Sequence, residues 1–139
     1  MKQIADRRAR VARVRNVQHL QATIVAEAAN ARVVDLETNA GRLAEMRGAL
    51  APGAGLTSGA ALGGARELMA RLEAAEQSLA GTIATARIAA QARQQERLEA
   101  RIAQEGAEKL EARAVHAMQE MLEARLAAIH RTRPKGNGQ

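Results

Sequence analysis

From residue 2 to about residue 50 the apolar positions recur with the period of a helix. Val11, Val14, Val17, Leu20, Ile24, Ala28, Ala31 and Val34 are spaced by threes and fours, which sets them on one helical face. Leu36, Leu43 and Leu50 follow at sevens, with Met46 between the last two. The change of phase near Val34 reads as a stutter, an irregularity that alters supercoiling locally without ending a helix. With no Pro in this stretch and Gly only at Gly41 and Gly48, the pattern predicts a first coiled-coil helix over residues 1–50.

The run APGAGLTSGAALGG, residues 51–64, breaks that pattern. It holds one of the two prolines and five of the eleven glycines, so Pro52 blocks helix continuation and the glycines allow a reversal. A hairpin loop is expected here. The stretch contains no Lys, and the next one downstream is Lys109; a phosphate-cradling loop ending in Gly-Lys-Ser/Thr is thereby excluded by residue type.

Periodicity then resumes. Ala65, Met69, Leu72, Leu79, Ile83, Ala86 and Ala90 keep a heptad frame in which Glu76 is the one polar intruder. After a polar interval the stripe continues at Leu98, Ile102, Leu110, Val115, Met118, Leu122, Leu126 and Ile129. A second, longer coiled-coil helix is expected over residues 65–133, stopped by Pro134, with a flexible basic tail over 134–139. Gly81 and Gly106 fall inside it, as weak points that packing against the first helix would tolerate.

The fold class that follows is all-α: two long, unequal helices in an antiparallel coiled-coil hairpin. At 1.5 Å per residue the first helix would be roughly 70 Å long and the second roughly 105 Å. The first would then run out opposite approximately residue 110. The remaining two dozen residues would overhang, leaving Met118, Met121, Leu122, Leu126 and Ile129 as an apolar stripe without an intramolecular partner, which marks a binding surface or a face for self-association.

Composition changes this picture in two ways. The chain is 47% hydrophobic yet has no Phe, Trp, Tyr or Cys, and roughly a quarter of it is Ala. Without aromatics a thick globular core lacks its largest contributors, whereas Ala favours helix and suits a thin seam. Without Cys there is no disulfide framework and no thiolate metal site. The polar, charged start predicts no signal peptide, and no apolar run approaches the roughly 20 residues of a membrane span. A cytoplasmic protein is expected.

Charge is concentrated at the ends. Residues 1–15 sum to +5, residues 125–139 to +4, and the other 109 to −3. Arg7, Arg8, Arg10, Arg13 and Arg15 dominate the N-terminal segment and form a candidate partner-binding end, able to attract phosphates, an acidic protein surface or an anionic membrane. Arg outnumbers Lys by 18 to 3, which suits bidentate pairing with carboxylates as well as phosphates.

Catalytic chemistry is not legible. His19, His116 and His130 lie too far apart to share a metal at the i, i+4 spacing and read as surface residues. The glutamates Glu96, Glu99, Glu108, Glu111, Glu120 and Glu123 sit close to arginines or other glutamates, as on a solvated, ion-paired helix face. Two paired helices do not readily enclose a water-excluding pocket. The expectation is a non-enzyme with no cofactor, no metal and no small-molecule substrate.

The segment EKLEAR, Glu108 to Arg113, continues as AVHAMQEMLEARLAAIH. With the two unequal helices and the basic N-terminus, this string resembles the FliJ family of flagellar type III export proteins, whose C-terminal region carries a string like EKL-x-ER followed by a charged helix. The Ala-rich seam and the basic ending IHRTRPKGNGQ, in place of an acidic tail, depart from that family. The resemblance implies a non-enzymatic stalk or adaptor that engages the hexameric export ATPase and the cytoplasmic domain of the export gate. It also implies an association with export chaperones and a cytoplasmic location peripheral to the inner membrane. The alternative reading is a basic coiled coil associated with nucleic acid, although no aromatic is present for base stacking and no known reading module is recognisable.

Overall fold

In a computed structural model, which describes residues 1–50, 59–132 and 136, the chain is an all-α hairpin of two helices packed against each other. Helix α1 runs Lys2–Ala49 and helix α2 runs Gly59–Thr132. The second helix therefore opens six residues before Ala65. Gly59, Gly63 and Gly64 are helical, and no described Gly has a positive φ, so these three do not form the expected reversal. The rest of the expected loop, residues 51–58, lies outside the described residues, as does most of the C-terminal tail.

Local chemistry explains where the helices end. The Leu50 N–H is shared between the carbonyls of Met46 and Arg47, both at 3.2 Å, and Arg47 in the last turn complements the negative end of the helix. Near the end of α2 the Thr132 hydroxyl donates to Ala128 O at 3.0 Å and to Ile129 O at 3.1 Å, the local back-bonding a helical Thr makes to the preceding turn. Along α2, Arg71 pairs with Glu67, Arg93 with Glu96 and Arg101 with Glu105, a spacing that supports an isolated helix by a few tenths of a kcal/mol per pair.

By their contacts the helices divide into two units, Met1–Ala22 with Arg97–Gln139 (the terminal unit) and Thr23–Glu96 (the hairpin unit).

In the hairpin unit the seam contributed by α1 is Ala26, Ala29, Val33, Leu36, Ala40 and Leu43, with Leu50 just past its end, all buried or half-buried. From α2 come Ala65, Met69, Leu72, Glu76, Leu79, Ile83, Ala86 and Ala90, likewise at least half-buried, as the spacing predicts. Met46 is not in the seam; it is 54% exposed. Two cross-helix ion pairs fix an antiparallel register: Glu76 with Arg47 at 3.0 Å and Glu37 with Arg87 at 2.6 Å. Glu76 is tolerated because Oε2 reaches Arg47, while its Oε1 is buried with no hydrogen-bond partner among the described residues.

In the terminal unit the seam differs from expectation. Buried or half-buried on α1 are Ala5, Ala9, Ala12, His19 and Ala22. On α2 they include Arg97, Ala100, Ala103, Gln104, Ala107, Glu111, Ala114, Met118 and Met121. Gln104 Nε2 donates across the seam to Asn16 Oδ1 at 2.9 Å and along its own helix to Glu108 Oε1 at 3.1 Å. The buried side chains of this unit, Ala5, Ala12 and Ala107, are all alanines. Val11, Val14, Val17 and Leu20, expected on the inner face, are 40–55% exposed. The reason is geometric. Ala5, Ala12 and His19 are seven apart, and in the hairpin unit Ala26, Val33 and Ala40 continue at the same interval, so no stutter is needed and the face they mark is the one that packs.

Candidate interaction surface

The overhang begins later than residue counting suggests. Asn16 faces Gln104, and two heptads toward the chain start bring α1 to Lys2 opposite Met118. Met118 and Met121 are accordingly half-buried, the last seam positions of α2, whereas every residue from Leu122 to Thr132 is exposed. This corrects the expected site: its methionines belong to the end of the seam. Its aliphatic members Leu122, Leu126 and Ile129, at 50%, 58% and 61% exposure, form the unpartnered stripe.

The basic end is placed by α1. Arg7, Arg8, Arg10, Arg13 and Arg15 are all exposed. None of the five is in an ion pair, since the pairs among the described residues join other groups. Arg15 Nη1 donates only to the neutral Gln18 Oε1, at 3.1 Å. Around these arginines lie Ile4, Val11, Val14, Val17 and Leu20, all exposed. Sequence reasoning missed their position because it ranked hydrophobicity above spacing; the seven-residue interval of Ala5, Ala12 and His19 was the available signal.

Of the 19 exposed large hydrophobic side chains among the described residues, 12 belong to the terminal unit, so the surface that calls for a partner is concentrated there. Its α2 side adds Leu98, Ile102 and Leu110.

Concave features are shallow. A groove of about 610 Å³ in the hairpin unit runs between Ala29 and Arg32 of α1 and Ser78, Gly81, Thr82 and Thr85 of α2. A smaller one, about 280 Å³ in the terminal unit, lies between Ala9, Ala12, Arg13 and Asn16 on α1 and Glu108 and Glu111 on α2. Both are open along the helix pair; the first is lined mostly by small side chains, the second by two alanines with Arg13, Asn16, Glu108 and Glu111. Among the described residues no three His, Cys, Asp or Glu side chains are grouped so as to hold a metal ion. His116 lies 3.4 Å from Glu120, His130 is exposed, and His19, expected on the surface, is half-buried in the seam. No helix among the described residues is long and apolar enough to cross a membrane.

No family model, no curated protein and no solved structure matches the chain.

Proposed function

We propose that the chain is a non-enzymatic coiled-coil adaptor, and specifically a stalk of the flagellar type III export apparatus that engages the export ATPase ring and the cytoplasmic domain of the export gate, in association with export chaperones. The observation that carries the adaptor reading is the overhang: past the last seam positions of α2, Leu122, Leu126 and Ile129 are exposed along with every other residue from Leu122 to Thr132. An amphipathic helix end of this kind fits a groove on another protein. The export apparatus enters through the resemblance of Glu108–Arg113 and the following helix to the FliJ family. The arginines of the basic segment of α1, none of them ion-paired among the described residues, favour a second reading, a nucleic-acid-associated coiled coil, because guanidinium groups not engaged by carboxylates are available to phosphates.

Kinetic binding to the export ATPase, the export-gate domain and nonspecific duplex DNA, each at several salt concentrations, separates the two. Replacing Leu122, Leu126 and Ile129 together by Ser should shorten the lifetime of the ATPase or gate complex. Replacing the five arginines by Gln should mainly slow its formation. Tight DNA binding with a steep salt dependence, abolished by the arginine changes and untouched by the apolar ones, would overturn the stalk in favour of nucleic acid.

A further inference from the structure

The outer side of α1 in the terminal unit is not a plain basic surface. Ile4, Arg7, Val11, Val14 and Gln18 follow one another at steps of three and four, so they form a single line along the helix, on the side away from the buried Ala5 and Ala12. Arg8 and Arg15, seven apart, flank this line on one side; Arg10 and Val17, also seven apart, flank it on the other. Aliphatic and cationic side chains are interleaved across the whole face. Exposure of 53% at Ile4, 40% at Val11, 55% at Val14 and 51% at Val17 shows that this apolar area is open to solvent.

That interleaving selects among possible occupants. A membrane surface needs the apolar and basic residues segregated onto opposite sides of the helix, so that one side can sink while the other stays wet; here a bilayer would have to take in Arg7 together with Ile4 and Val11. A nucleic-acid backbone would satisfy the guanidinium groups but leave the aliphatics uncovered, with no aromatic to engage the bases. A second copy placed face to face would set one +5 segment against another, and like charges held close are costly. A helix with an apolar ridge bordered by carboxylates satisfies both components: its ridge packs on Ile4, Val11, Val14 and Val17, and its carboxylates receive Arg7, Arg8, Arg10 and Arg15 in bidentate pairs.

We infer that the Ile4–Leu20 face of α1 is the docking site of an acidic amphipathic helix from a partner protein, held by the valines and the arginines together. The face is about 24 Å long at 1.5 Å per residue, which matches a partner helix of four to five turns. This inference rests on reading the chain as a binding module and is independent of which apparatus it serves. It adds a contact role for the basic segment to the steering one.

The test uses the full chain and an 18-residue helical peptide with Leu along one ridge and Glu on both borders, carrying a fluorophore and followed by anisotropy. Saturable binding is expected, and is lost when the border Glu residues are replaced by Lys or the ridge Leu residues by Ser. Val11→Ala, Val14→Ala and Val17→Ala combined should weaken binding about tenfold or more while leaving its salt dependence unchanged. Because Ala is the better helix former, that loss cannot come from unfolding. Arg7→Gln, Arg10→Gln and Arg15→Gln combined should weaken it comparably and flatten the salt dependence. The Leu122→Ser, Leu126→Ser, Ile129→Ser protein should bind this peptide as the native chain does.

No saturable binding, or native-like binding by the valine variant, overturns the inference. So does equal affinity for the Ser-ridge peptide. Val-dependent binding to anionic phosphatidylglycerol vesicles or to duplex DNA that exceeds peptide binding would reassign the face, and a sedimenting dimer dispersed by the valine changes would assign it to a second copy. Intact peptide binding with no binding to ATPase or gate sinks only the export reading. Overhang-dependent ATPase or gate binding without peptide binding sinks only this one.

Discussion

The hairpin unit and the terminal unit pair their helices at the same seven-residue interval but fill the interval with different side chains. In the hairpin unit Leu72 and Ile83 are buried, as are Ala26, Ala86 and Ala90, and Leu36, Leu43 and Leu79 are half-buried. In the terminal unit the buried set is Ala5, Ala12 and Ala107, with Gln104, Arg97 and Glu111 among the half-buried. A buried Leu or Ile side chain stabilises by about 1.5–3 kcal/mol and a single methyl by far less. The stability of the pairing therefore resides in the hairpin unit, while the terminal unit leaves its large aliphatics outside, where they are available for binding.

The largest test of this contrast is a charge placed at each kind of site. Leu72→Asp, at a side chain 6% exposed, should destabilise by about 3–5 kcal/mol because the new carboxylate has no partner in the seam. Leu126→Asp, at 58% exposure, should leave the melting temperature nearly unchanged. Equal losses in thermal melts followed by circular dichroism would show that the overhang is packed.

Truncation measures the same difference without adding charge. Ile83→Ala should cost about 2–4 kcal/mol, against about 1 kcal/mol for Ala12→Gly, most of it helix propensity. Denaturant unfolding of both variants gives the comparison, and a larger loss at Ala12 would reverse the assignment of strength to the hairpin unit.

A smaller effect is expected from the polar contact in the terminal seam. The Asn16–Gln104 hydrogen bond, at 2.9 Å, specifies alignment more than it stabilises, as polar groups in coiled-coil seams do. Replacing both residues by Leu should leave stability unchanged or raise it by up to about 1 kcal/mol. A clear loss would show that the pair itself holds this unit together.

Gly106 is exposed, and a Cβ built there meets nothing within 4 Å. Gly106→Ala should therefore stabilise by about 0.8–1 kcal/mol. The same open space surrounds Gly81, so neither glycine is needed for close approach of the helices, and failure of Gly106→Ala to stabilise would point to an unseen neighbour. The smallest effect is the Arg87–Glu37 pair, whose side chains are 61% and 43% exposed. A double-mutant cycle should return a few tenths of a kcal/mol, falling with salt.

The sequence was legible where the inner face and the most hydrophobic face coincide. In α2 from Ala65 to Ala90, Leu72, Leu79 and Ile83 occupy the heptad positions themselves, so hydrophobicity and spacing agree. In the first half of α1 they conflict. Val11, Val14, Val17, Leu20 and Ile24 carry the stronger apolar signal, yet Ala5, Ala12 and Ala26 are inside, because small residues let two helix backbones come close and the larger ones would hold them apart. Alanine is a weak marker of burial for the same reason it packs well here: it has little surface to bury. For the site, Leu122, Leu126 and Ile129 were legible from their position past the end of α1. Met118 and Met121 were misplaced because α2 begins at Gly59 and the register had to be counted from Asn16 and Gln104.

The unbroken seven-residue interval also limits how this chain can change length. Within the hairpin unit, Ala26, Val33 and Ala40 meet α2 in a register fixed by Arg47–Glu76 and Arg87–Glu37. One residue inserted in α1 would turn everything beyond it by about 100°, rotating Ala26 outward and Val25 or Glu27 toward the partner. Seven inserted in α1 alone between Glu37 and Arg47 would keep the faces but put the two ion pairs out of step with each other. Only matched heptads added to or removed from both arms preserve faces and pairs together, so descendants of this gene that vary in length should do so in paired steps of seven.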